Sequence, residues 1–300
     1  MDFRQLRYFV AVAETLSFSR AAERLHISQP PLSQQIKLLE EDLGVRLFER
    51  NRRAVRLTEA GELFYQEAQD ILARYANARQ LCALSRDGRA GKLRVAFTAS
   101  VPMFEAFPQL LRTFRLAYPR VSIDLQHLST GEQLQALEAN EIDIGFLRPS
   151  RTFRPPASIE VVDLWQDELV LAAAADHRLA QPDARPTLAD LAREDFILFP
   201  QALGCGLFDH ITSLATQAGF APRIVQEVRE NSTTLALVAA NLGISIVPSI
   251  YERTKPPGVV FKRLAGAPTQ SRIVMATARN QANPSVPLFT KQAAATRTTP

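Results

Sequence analysis

Residues 28–39 read SQPPLSQQIKLL, and this stretch narrows what can be built around it. Numbered as a helix from Pro30, Leu32, Ile36 and Leu39 recur at steps of four and three and make one stripe that must be buried. Pro30, Ser33, Gln34 and Lys37 fall on the opposite side, close to the helix start. Ser28 or Gln29 can cap the helix. Proline is tolerated in the first turn because its missing N–H would be unpaired there anyway. The outward face is short, polar, rich in donors and almost free of carboxylate until Glu40. Such a face suits a helix lying in a DNA major groove with its first residues on base edges. Taken alone, it fits an ordinary solvated face equally well.

The flanking residues discriminate between the two. Residues 19–25 (SRAAERL) predict a short helix capped by Ser17 or Ser19, with Ala21 and Ala22 small enough for another helix to cross closely. His26, Ile27 and Ser28 form the tight connection. Residues 43–48 return to the core with Gly44 as a helix C-cap. RNRRAVRLT follows, crowding Arg50, Arg52, Arg53 and Arg56 into one hairpin-like stretch. Residues 3–14 predict an amphipathic scaffold helix with Leu6, Phe9, Val10 and Ala13 inward. Helix, turn, helix and basic wing in this order predict a winged helix-turn-helix DNA-binding domain over 1–58. Over residues 1–57 ten basic residues face seven acidic ones, so most of the chain's net +4 sits in its first fifth. Phosphate binding is the use such an excess serves.

Thr58 can cap the next helix, in which Ala60, Phe64, Ala68, Ile71, Tyr75, Ala78 and Cys82 are spaced three or four apart. That seam runs roughly 40 Å at the usual helical rise. Too little neighbouring chain is expected to cover it, so residues 59–85 are expected to be a linker helix that dimerises over 58–84. Cys82 on the seam is expected to act as a small buried hydrophobe. Residues 86–91 (RDGRAG) form a hinge.

Beyond the hinge the pattern alternates. Strands are expected at 93–97, 121–125 and 142–146, with helices at 104–118 and 132–139. This βαβαβ order implies a mostly parallel sheet with helices on its faces. Residues 159–165 are expected to cross to a second lobe holding strands at 169–174, 196–199, from Val225 to Val228, and 244–247. Its helices are expected near Leu188, at 208–218 and at 233–240. Residues 259–264 are expected to cross back, 273–277 to rejoin the first sheet, and 286–293 to form a last helix. The expected division is 92–161 with 265–300 as lobe I and 162–264 as lobe II, with 294–300 a disordered tail.

Three hundred residues suffice for two or more domains, and no apolar run is long enough to span a bilayer. Met1-Asp2-Phe3-Arg4 leads straight into the first helix, so no signal peptide is expected. Two cysteines, Cys82 and Cys205, fit a reducing cytoplasm rather than a disulfide framework. A hydrolase is not indicated. GCG around Cys205 is no GxSxG elbow, and His26, His127, His177 and His210 lie far apart on differing elements. No histidines or cysteines have metal-ligand spacing, and each histidine reads as an ordinary surface or structural residue. The chain is therefore expected to be neither an enzyme nor a metalloprotein, and to carry no cofactor.

Residues 3–61, FRQLRYFVAVAETLSFSRAAERLHISQPPLSQQIKLLEEDLGVRLFERNRRAVRLTEAG, resemble the N-terminal domain of LysR-type bacterial transcriptional regulators. RYFVAVAE, SQPPLS and the later VREN, LVAA and SIVP look most like the aromatic-degradation branch, which responds to muconate and benzoate. The resemblance implies an α/β chain: winged helix-turn-helix, linker helix and a two-lobed effector domain built like a periplasmic binding protein. It implies double-stranded promoter DNA and further copies of the chain as partners, a dimer and then a tetramer, with RNA polymerase a further partner and no membrane. Carried over, Gln29, Pro30, Pro31 and Ser33 meet base edges or thymine methyls. Gln34 and Lys37 stand beside them, and Arg52 and Arg53 hold phosphate or minor groove. Many relatives have arginine where Gln34 stands, and glutamine favours adenine over guanine.

Ligands of open α/β sheets bind beyond the carboxyl ends of the strands, here Thr98-Ala99-Ser100, residues 128–131 and FPQALGCGL at 199–207. Each precedes a helix, so N–H groups and positive dipole ends are expected to face an interlobe cleft suited to a small carboxylate. The resemblance assigns effector contacts to Ser100, Thr130, Gly204, Cys205 and Leu207, with Phe146 and Phe199 as apolar walls. Ser100 and Thr130 also fit plain helix caps. Relatives carry proline and phenylalanine where Cys205 and Leu207 stand, so muconate itself is not assigned. Arg148 and Glu230 match positions flanking a second aromatic-acid site in some relatives, although surface ion pairing explains them as well. Two rival readings remain: a redox sensor using Cys205, and a solute-binding protein, which leaves the basic N-terminal domain without a purpose.

Overall fold

The computed structural model describes residues 2–50, 55–201 and 206–297. Two units emerge, residues 1–84 and 85–300.

In the first unit, α1 (Phe3–Thr15) starts with a reciprocal cap. The Asp2 carboxylate accepts from the Gln5 N–H at 2.8 Å, and the Gln5 amide oxygen accepts from the Asp2 N–H at 2.9 Å. Ser17 caps α2 (Phe18–Arg24). Helix α3 (Gln29–Leu43) begins with Ser28 in the cap position but without a side-chain cap bond, and ends at Gly44 in the left-handed region. The stripe Leu32, Ile36 and Leu39 is fully buried against α1 and α2, whose Phe9, Val12 and Ala21 are equally enclosed. Strands β1 (Phe48–Arg50) and β2 (Val55–Leu57) pair antiparallel, Glu49 opposite Arg56. The Thr58 hydroxyl accepts from the Gly61 N–H and donates to the Arg46 carbonyl, fixing the start of α4 (Glu59–Arg86). A Cβ at Gly61 would lie 2.1 Å from the Leu47 carbonyl oxygen, so this close crossing requires glycine.

The expected uncovered seam on α4 is shorter than its spacing suggests. Phe64, Ala68 and Ile71 pack into the first unit's own core, and Tyr75 sits on Phe3 with ring centroids 4.6 Å apart. Only the stretch beyond is bare. Ala78 and Cys82 are exposed, so Cys82 is not buried by its own chain.

The second unit begins with β3 (Ala90–Phe97), α5 (Ala106–Ala117), β4 (Arg120–His127), α6 (Thr130–Glu138) and β5 (Ile144–Leu147). Strand β3 lies between β4 and β5, parallel to both. There follow β6 (Ile159–Ala174), β7 (Asp195–Leu198), α7 (Leu207–Gln217), β8 (Arg223–Glu227) and α8 (Asn231–Ala239). The chain ends with β9 (Ser245–Pro248), β10 (Val259–Lys262), β11 (Gln270–Ala278) and α9 (Ser285–Ala294). Strand β11 runs antiparallel between β5 and β6 and completes lobe I. Strands β9 and β10 flank the far half of β6 in lobe II, where β7 and β8 pair parallel.

Five expectations change. Residues 159–165 and 169–174 are one strand, because β6 stays paired to β11 as far as Glu168 and passes to β9 at Leu169. The lobes therefore exchange at 168/169 rather than 161/162, with Leu164 and Trp165 in lobe I's core beside Phe107 and Phe146. Residues 259–262 do not cross back but pair with β6 inside lobe II, and the helix expected near Leu188 is only a 3-10 turn, Ala189–Leu191. The tail is held at its start: the Trp165 indole N–H donates to the Thr296 carbonyl at 3.1 Å. Residues 298–300 lie outside the described residues.

Candidate functional site

Two surfaces carry the sequence-derived site residues. On α3, Gln29, Pro30, Pro31, Gln34 and Lys37 are exposed and Ser33 is half-buried. The Ser19 hydroxyl donates to the Gln29 amide oxygen at 3.2 Å, tying the starts of α2 and α3 together. Glu40 is drawn away from the outward face, since its carboxylate accepts from the Leu47 and Phe48 N–H groups at 2.9 and 3.1 Å. Lys37 lies 3.4 Å from Glu41 one turn along. What remains exposed at the helix start is amide, hydroxyl and proline ring, without a carboxylate. Arg56 is exposed on β2, whereas Arg52 and Arg53 lie outside the described residues.

The second surface is a cavity of about 280 Å³ between the lobes of the second unit. Lobe I contributes Thr98, Ser100, Thr130 and Arg148; lobe II contributes Phe199, Leu207, Arg229 and Asn231. The first turns of α6, α7 and α8 open onto it, placing three positive dipole ends around one space. Ser129, not Thr130, caps α6, through a capping box with Glu132 whose hydrogen bonds hold the Glu132 carboxyl below the usual carboxylate range. At Gly206 the two lobes come close together. A Cβ there would meet the Arg148 carbonyl oxygen at 2.7 Å and the Thr130 hydroxyl at 3.2 Å.

Beneath the cavity lies a buried knot. The Arg148 guanidinium donates to the Ser100 hydroxyl at 3.0 and 3.1 Å, to Ser271 at 2.7 Å and to Asp167 at 2.7 Å. Both ions are 4% exposed. The other Asp167 oxygen accepts from the Ser249 hydroxyl at 2.7 Å and from the Glu168 N–H at 2.8 Å. Burial pulls the Arg148 pKa down and Asp167 opposes it. The idea that Arg148 makes a surface ion pair is therefore wrong. It pairs with Asp167 inside the molecule, while Glu230 is exposed at the cavity rim.

Ser100 and Thr130 reach the cavity, but neither is a side-chain cap. Ser100 accepts from Arg148, and Thr130 lies at donor distance, 3.4 Å, from the Arg148 carbonyl. Phe199 and Leu207 line the space. Phe146 does not: it is wholly buried in lobe I's core, stacked on Trp165 at 5.7 Å, because its strand faces inward on both sides. Gly204 and Cys205 lie outside the described residues. Sequence reasoning placed Thr98 in a stretch facing the cleft without singling it out, and missed Asn231. Among the described residues, the Thr98 hydroxyl and the Asn231 amide oxygen are buried atoms without a partner, and Asn231 donates to the Tyr251 hydroxyl at 2.5 Å. Whichever way the amide is turned, one of its polar atoms stays unmatched. Their signal was positional: a threonine closing an alternating strand and an asparagine opening an apolar helix.

Among the described residues no cluster of side chains could hold a metal ion, and no helix is long and apolar enough to cross a membrane. Comparison with known proteins matches residues 3–62 to the bacterial regulatory helix-turn-helix protein, lysR family, and residues 86–297 to the LysR substrate binding domain. An uncharacterized HTH-type transcriptional regulator, YnfL of Escherichia coli, is 41% identical over 85% of this chain and 84% of its own length. The HTH-type transcriptional regulator TcbR of a Pseudomonas species is 37% identical over 89% of each chain. A crystal structure of full-length CbnR complexed with its target DNA superposes with a TM-score of 0.77 at 34% identity, covering 99% of both chains.

Removing one partner of a buried ion pair strands the other, at a cost of about 3–5 kcal/mol. Arg148→Met should therefore lower the urea midpoint of the second unit's unfolding strongly. Adding Asp167→Leu should restore part of the loss, and a double variant no better than Arg148→Met would deny that the two charges are matched.

Proposed function

Because the chain belongs to the LysR family of bacterial transcriptional regulators, we propose that it reads promoter DNA with the exposed start of α3 and alters transcription when a small carboxylate or aromatic-derived effector fills the interlobe cavity. The observation that carries this reading is the cavity's chemistry: three helix starts, two unpaired polar groups and apolar walls enclose one space. Its volume, at the lower end for ligand sites, suits a small metabolite. Helix starts hold a carboxylate without a cluster of arginines, and Phe199, Leu207 and Phe208 cover an apolar remainder. Thr98 and Asn231 supply polar contacts from opposite lobes, so a bound acid spans the cleft. Ser100 and Thr130 act by fixing Arg148 at its floor. Gly204 and Cys205 stay effector contacts on the family resemblance. Closure around the ligand needs a differential free energy of only about 1–3 kcal/mol to shift DNA binding.

On DNA, Gln29, Pro30, Pro31 and Ser33 meet base edges or thymine methyls, with Lys37 close by and Arg52 and Arg53 on phosphate or minor groove. The bare end of α4, with Leu81 and Cys82 exposed, pairs with a second copy, and the α/β lobes join dimers into a tetramer. The protein works in the cytoplasm, with RNA polymerase a further partner. Redox sensing finds less support: the chain's two cysteines are Cys82 on α4 and Cys205, so lobe II holds no resolving thiol.

Selection of operator sequences with the wild type and with Gln34→Arg tests the DNA half. The favoured base should change from adenine to guanine at one position per half-site, a discrimination of about 1–3 kcal/mol; uniform weakening on every sequence would make Gln34 a positioning contact only. A thermal-shift screen of small aromatic and dicarboxylic acids tests the effector half. A binding acid raises Tm by mass action, and Thr98→Val combined with Asn231→Leu should erase that rise. An equal rise in the double variant would place the acid elsewhere.

A further inference from the structure

A second cavity, of about 260 Å³, lies at the junction of the lobes, where Arg148 reaches Ser271. Ser150 and Arg151 line it from the segment after β5, Ser271 and Arg272 from β11, and His210 from α7 of lobe II. Among the described residues no acidic one lines it. Arg272 pairs with Asp163 at 3.1 Å, but Arg151 is exposed and donates to the Pro268 carbonyl at 3.0 Å, and among the described residues no carboxylate pairs with it. His210 is 2% exposed, and its Nε2 is a buried atom without a partner among the described residues.

An imidazole left unmatched beside two guanidinium groups is an unusual arrangement to bury. Burial, then Arg151 and Arg148, push the His210 pKa down to about 4, so the ring is neutral near pH 7 in a positive field. What the site lacks is an acceptor carrying negative charge. Its lining argues against an aromatic acid: among the described residues Pro149 is the one apolar side chain beside guanidinium, imidazole, hydroxyl and amide groups, and no phenyl or indole ring lines it. We propose that this junction cavity binds a small tetrahedral oxyanion of the phosphate class, free or carried on a small metabolite, held by Arg151 and Arg272, the Ser150 hydroxyl and His210. The site is separate from the effector cavity and does not depend on the function proposed for it. Helix α7 is common to both, with Leu207 and Phe208 on the effector side and His210 here.

The test uses the full chain in a phosphate-free buffer at constant ionic strength. Inorganic phosphate and glycerol 3-phosphate are each titrated by calorimetry and followed by Tm, with chloride as the control. The wild type should show saturable binding of one or both, at least tenfold weaker in Arg151→Ala, an exposed position whose replacement leaves the fold intact. Thr98→Val should bind the same anion with wild-type affinity. Preference for inorganic phosphate identifies a free ion as occupant, and preference for the ester a phosphorylated metabolite. Equal responses in the wild type and Arg151→Ala would assign the binding to other basic surfaces, such as the N-terminal wing, and overturn the proposal. So would the absence of saturable binding by either anion.

Discussion

The Arg148–Asp167 pair sits where the effector unit changes from one lobe to the other, and its geometry explains much of the unit's layout. Arg148 follows β5, Asp167 is the penultimate residue of β6 paired with β11, Ser271 lies on β11, and Ser249 follows β9. With Ser100 beyond β3, five separate segments therefore converge on one charge pair withdrawn from water. Such a pair gives little net stability relative to apolar residues of the same shape, but strongly penalises any arrangement that separates it. That asymmetry holds the lobe junction in one arrangement. The effector cavity lies beside the pair, and α7 brings Leu207 to it and His210 to the other cavity.

The first unit follows a different logic, in which burial decides what stays outside. Leu32, Ile36 and Leu39 turn α3 inward, and α1, α2 and the start of α4 enclose them. Glu40 is recruited to bind two strand N–H groups, leaving the start of the helix free of negative charge. The close passage of Gly61 over Leu47 lets α4 begin against the hairpin rather than beyond it. Each of these details clears or positions the polar face that would meet phosphate and base edges.

Much of this was legible in the chain itself, for identifiable reasons. The steps of four and three in α3, the Thr58 cap and the βαβαβ order depend on local spacing, and local spacing is what a sequence displays. Strand β6 was misread as two pieces because the polar run Gln166-Asp167-Glu168 separates its two apolar halves, whereas the strand continues through that run and changes partners at Leu169. The α4 seam was overextended because periodicity shows that a face needs cover without saying which chain supplies it. Phe146 looked like a wall because it ends a strand, yet every residue of β5 is buried. Arg148 was taken for a surface residue because its partner is distant in sequence and joined to it only through the sheet. Asn231, and the unmatched hydroxyl of Thr98 at its strand end, became visible only once the partners of buried polar atoms could be followed among the described residues.

The central claim is that occupancy of the cleft is communicated to DNA by the same chain. Footprinting of the full-length protein on its promoter, with and without a saturating concentration of the acid that most raises its Tm, tests this directly. The account predicts a changed footprint length or operator affinity with the acid, and no change in the Thr98→Val, Asn231→Leu double variant. An identical footprint and affinity in the wild type, at an acid concentration shown to fill the site, would contradict it.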